Sequence, residues 1–66
     1  MRIRLNGEEH TLENVLTVNA LLEALKLDAR KVAVEVNLAI VPRSRYRETL
    51  IASGDAVEIV RFIGGG

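Results

Sequence analysis

A chain of 66 residues, 48% hydrophobic and 27% charged, has the make-up of one small folded domain and leaves no room for a catalytic cleft between two. Nine basic residues balance nine acidic ones, and one Phe, one Tyr and no Trp provide no stacking platform, so neither nucleic acid nor an anionic membrane is an expected partner. The lack of cysteine removes disulfides, thiolate nucleophiles and thiolate metal sites together.

Met1 to Asn6 alternates, with Ile3 and Leu5 on one face and Arg2 and Arg4 on the other, the period of a half-buried strand. The two arginines also break up any apolar leader, so a cytoplasmic protein with no membrane segment is expected. Asn6-Gly7 is the residue pair that most readily takes the positive φ angles of a tight hairpin. A second, antiparallel strand over about Glu9 to Leu12 should follow. Glu8-Glu9 reads as a solvated turn. His10 is the only histidine and has no neighbour at a catalytic or metal-ligand spacing, so no metal site is expected.

Thr17 can cap a helix with its hydroxyl. Val18, Leu21, Leu22 and Leu25 then form one apolar stripe at i, i+3, i+4 and i+7, which predicts a helix packed by that face into the core. Val32, Val34 and Val36 alternate with Ala33, Glu35 and Asn37, predicting a third strand. Asn37-Leu38 should turn the chain into a short fourth strand at Ala39 to Val41, confined to a sheet edge by Pro42. From Arg43 to Leu50 an irregular loop with a helical turn around Ser44 to Arg47 is expected. Its spaced cations Arg43, Arg45 and Arg47 read as a solvated surface.

Ser53-Gly54-Asp55 marks a turn. After it Val57, Ile59, Arg61 and Ile63 should face one way and Glu58, Val60 and Phe62 the other. A strand with apolar residues on both faces is central or keeps one face for a partner. The simplest arrangement is an α+β domain: a mixed sheet of four to five strands, the first and last side by side in the middle, with one main helix packed on one face. The domain should span residues 1–63. Gly64, Gly65 and Gly66 would be a flexible tail reaching roughly 10 Å. No Gly-rich phosphate loop is present, because these glycines precede no helix.

The ordered set of Asn6-Gly7, Thr17-Val18 with Leu21-Leu22 and Leu25, Val34 to Asn37 with Ile40-Val41-Pro42-Arg43, Gly54-Asp55 with Val57-Glu58-Ile59, and the closing Gly65-Gly66 resembles the ThiS family, the ubiquitin-like β-grasp sulfur carriers of thiamine biosynthesis. The resemblance covers almost the whole chain. It departs at Asn19-Ala20, where the family often has an acidic residue, and in having a third glycine.

The resemblance implies a carrier and not an enzyme. A ThiF-like adenylyltransferase would use ATP and Mg to adenylate the carboxylate of Gly66, and sulfur from a persulfide donor such as a cysteine desulfurase would displace AMP to leave a thiocarboxylate. Thiazole synthase would take that sulfur for the thiazole of thiamine. The chain itself would bind no cofactor and be a monomer when free. Gly65 would keep the approach to the carbonyl clear and Gly64 would add reach. Phe62 and Val60 are the candidate partner-binding residues, with burial under the Arg43 to Leu50 loop as the alternative. A molybdopterin synthase small subunit, or a ubiquitin-like modifier ending in an isopeptide bond, would share the same tail. The short Arg43 to Ser53 stretch disfavours the first.

Overall fold

Asn6 and Gly7 take positive φ angles of 50° and 81° in the computed structural model, which describes residues 1–62. They join β1 (Arg2–Leu5) to β2 (Glu8–Thr11) as an antiparallel hairpin with Ile3 opposite His10. A two-residue strand β3 (Leu16–Thr17) leads into α1 (Val18–Ala24). The Thr17 hydroxyl accepts from the Ala20 amide at 3.0 Å, the cap expected of it.

Val18, Leu21 and Leu22 are buried as predicted, but Leu25 is not; it is 38% exposed. The cause is the closing turn. Lys26 adopts φ 60°, and the Leu27 amide reaches back to the Leu22 carbonyl at 2.9 Å, so the helix ends before Leu25 comes round to the core. A turn of 3₁₀ helix at Ala29–Lys31 then feeds β4 (Val32–Val36).

Asn37 and Leu38, at φ 52° and 71°, turn β4 into β5 (Ala39–Val41), which lies at the sheet edge just before Pro42. A second 3₁₀ turn at Arg43–Arg45 precedes β6 (Leu50–Ile51) and β7 (Ala56–Arg61). The five-stranded sheet runs β2-β1-β7-β4-β5. Among the described residues only β1 and β7 pair in parallel, and β7 lies in the middle, as expected.

Two features were not foreseen. β3 and β6 form their own antiparallel pair, Leu16 opposite Ile51, so the supposed loop from Arg43 to Leu50 ends in regular structure. It also supplies core: Tyr46 and Ile51 are buried beside Ile3, Leu5, Val34 and Val57. Backbone bonds from the Val18 and Asn19 amides to the Thr49 and Tyr46 carbonyls, both 2.9 Å, tie this segment to the start of α1.

Candidate functional site

The tail begins where β7 ends, so the site starts with what holds β7. On one side β4 pairs with it through five residues, from Val36 opposite Val57 to Val32 opposite Arg61. That pairing continues one step further, since the Phe62 amide donates to the Lys31 carbonyl at 2.9 Å. On the other side β1 reaches only Val57 before the chain turns away at Asn6.

Asn6 makes up for that lost length. Its backbone amide donates to the Val57 carbonyl, its Oδ1 accepts from the Ile59 amide at 2.8 Å, and its Nδ2 donates to the Ile59 carbonyl at 3.3 Å. The side-chain amide thus copies the donor and acceptor of a further β1 residue. Asn37 acts similarly across the start of β7, its Oδ1 accepting from the Ala56 amide at 2.9 Å and its Nδ2 donating to Asp55. Asp55 in turn accepts from the Ala52 amide at 2.7 Å. Both asparagines were legible as turn formers, but a side chain reaching a strand some fifty residues away leaves no local signal.

Asn6→Ala should therefore cost about 2 kcal/mol, from two exposed hydrogen bonds and a left-handed φ that Ala tolerates poorly. Urea denaturation reads the loss, and the Ile59 amide should exchange faster in the variant. An unchanged Ile59 exchange rate would disprove the clamp.

Val60 and Phe62 are 60% and 56% exposed, Val60 on the face of β7 opposite the buried Val57. Neither is buried under the Arg43 to Leu50 segment, although Phe62, one residue past β7, shares a cleft with its Arg43 and Tyr46. Val60 stands opposite Ala33 on β4, and Ile40 on β5, 75% exposed, stands opposite Glu35 on β4. Gly64, Gly65 and Gly66, the residues expected to carry the chemistry, lie outside the described residues, as does Ile63. Arg43, Arg45 and Arg47 are exposed, with Arg45 pairing to Glu48 at 3.4 Å, in keeping with a solvated surface.

Beside the end of β7, Asp28 caps the first 3₁₀ turn. Its carboxylate accepts from the Arg30 amide at 2.9 Å and from the guanidinium at 3.2 and 3.0 Å. Those hydrogen bonds hold its carboxyl at about 2, below the ordinary 3.8. A depressed carboxylate stabilises the fold above its unfolded value, so this contribution should be complete above pH 3.8 and vanish as pH falls through about 2. Carbon-detected NMR titration of Asp28 checks the value. In Asp28→Asn the acid limb of a stability profile should flatten over that window.

Among the described residues no His, Asp and Glu group is placed to hold a metal ion, and no helix is long and apolar enough to cross a membrane.

A sequence model of the ThiS family matches residues 3–66. The chain is 53% identical over its whole length to a thiazole synthase of Paramagnetospirillum magneticum and 46% identical to one of Magnetococcus marinus, but it spans only 20% of either protein. It is 35% identical to the sulfur carrier protein ThiS of Bacillus subtilis, with 97% of this chain and 98% of that one aligned. Among solved structures, the thiamine biosynthesis protein ThiS of Geobacter metallireducens superposes with a TM-score of 0.87 at 39% identity, covering all of both chains.

Proposed function

Since the chain belongs to the ThiS family, we propose that it is a sulfur carrier of thiamine biosynthesis whose Gly66 carboxylate is the cargo site. The observation that carries this reading is a full-length match in sequence and β-grasp fold to a carrier of nearly the same size. A carboxylate is ionised at neutral pH and repels nucleophiles, so it must first be activated. A ThiF-like adenylyltransferase, with ATP and Mg, would join it to AMP and release pyrophosphate. A persulfide sulfur from a donor such as a cysteine desulfurase would then attack the carbonyl and expel AMP. Cleavage of the resulting acyl disulfide by a thiol leaves the thiocarboxylate on Gly66.

Two relatives that contain a copy of this unit within a longer chain are named thiazole synthases, which supports thiazole synthase as the acceptor of the sulfur. The carrier is then a co-substrate. It is used and regenerated by enzymes that supply all the catalytic groups. β7, held by β4 on one side and Asn6 on the other, is the strand that precedes the tail in the sequence. Val60 and Phe62 would meet the partner beside it.

Incubating the chain with the adenylyltransferase, ATP and a persulfide donor should exchange one terminal oxygen for sulfur, visible by mass spectrometry. Addition of thiazole synthase and its small substrates should return the carboxylate mass. A chain that instead becomes attached to lysines would refute the carrier reading in favour of a protein modifier.

A further inference from the structure

A cleft of about 380 Å³ opens where β7 ends, and Lys26, Lys31, Arg61 and Phe62 line it together with Asp28 and Val32. Three cations from three separate elements meet there: the closing turn of α1, the end of the first 3₁₀ turn and the last residue of β7. The bond between Phe62 and Lys31 and the pairing of Val32 with Arg61 bring them together. Asp28 offsets the cluster only in part, because its carboxylate is hydrogen-bonded to Arg30 while it also attracts Lys31. None of the three cations forms an ion pair with a described residue.

A chain with a formal net charge of zero does not crowd three like charges around one cleft through overall basicity. Lys26 moreover occupies a φ of 60° at a helix C-terminus, a position that glycine fills at lower cost. The backbone at Lys26 therefore costs the fold something, and the chemistry of the cluster selects anions.

We propose that this cleft is a docking site for aspartate and glutamate side chains on the rim of the adenylating enzyme's tail channel. The proposal rests on the carrier reading above. Continuity identifies the occupant: Arg61 and Phe62 belong both to the cleft and to the root of the tail, so an enzyme that takes in the residues beyond them rests its channel mouth here. The phosphates of ATP are a poorer match. The carboxylate under attack is four residues past Phe62, a segment that spans about 13 Å when extended. Exposed charges at a rim act on encounter and orientation, so the cleft should govern association and its salt dependence rather than turnover.

Two double variants test this, Lys31→Glu with Arg61→Glu and Lys26→Glu with Lys31→Glu, the second leaving the tail root intact. Arg45→Glu with Arg47→Glu, two exposed cations of the Arg43 to Leu50 segment, makes the same change in net charge and is the control. Association with the adenylating enzyme is measured without ATP, then KM and kcat for adenylation with it. Both cleft doubles should associate about tenfold more slowly at ~0.1 M salt and raise KM in proportion, with kcat held; near ~1 M salt, where the Debye length is ~3 Å, wild type and variants should converge. Wild-type association in either cleft double variant, or equal slowing by the Arg45→Glu, Arg47→Glu control, would overturn the proposal. Normal association of the wild type without any adenylation would instead reject the carrier reading and leave the docking site standing.

Discussion

Valine in place of Gly66 should leave the domain folded and slow adenylation about 100-fold or more, the order of loss that small misplacements of a reacting group produce. The branched side chain would sit on the carbon next to the carbonyl under attack and block the approach of both the ATP phosphorus and the incoming sulfur. The core of described residues runs from Ile3 on β1 to Val57 on β7, and a glycine has no side chain to lend it, so stability should not change. Thermal unfolding and pyrophosphate release, measured on the same preparation, separate the two effects. Gly65→Val should behave alike through the width of the tail. Adenylation of both variants at the wild-type rate would rule out a steric role for the glycines.

Ile51→Ala should be the most damaging substitution in the β3–β6 pair. Ile51 is fully buried, and removing three carbons from such a site costs about 2–5 kcal/mol. A domain of this length has only about 3–10 kcal/mol of stability in all, so the variant should be partly unfolded at room temperature. Loss of amide dispersion in its NMR spectrum would show this directly. A loss under about 1 kcal/mol would mean that β6 is a covering flap and not part of the core.

Ile51 also marks where the sequence stops being informative. The main sheet was readable because its signals are local: Ile3 and Leu5 alternate, Asn6-Gly7 and Asn37-Leu38 turn, Val32 to Val36 alternates, and Pro42 limits β5 to an edge. Thr17 announced the helix. The pairing of β3 with β6 had no such signal, since two residues are too few to display a period and their partner lies over thirty residues away. Tyr46 was hidden among arginines, in a segment whose composition suggested only solvent. Leu25 failed for the opposite reason: its spacing was right, but the left-handed turn at Lys26 ended the helix first.

The tail chemistry was legible only through resemblance, because a run of glycines by itself names no reaction. Val60 and Phe62 were picked out by their parity along the last strand, and parity did place Val60 on the open face, but Phe62 lies one residue past β7 and lines the cleft at its end. The cation cleft escaped notice, since Lys26, Lys31 and Arg61 are scattered along the chain and only the fold assembles them.

The parallel pairing of β1 with β7 bears on how the molecule is made. Asn6 and Ile59, bonded to each other, are 53 residues apart, and contacts of that span form late and slowly. The strand at the centre of the sheet is also the last of the described strands to be synthesised. Until it is, β1 and β4 have no common neighbour and the core lacks Val57. A chain broken off before β7 should remain unfolded and be cleared by proteolysis. Folding thereby waits for β7: a copy of this unit that has reached the folded state already carries its central strand.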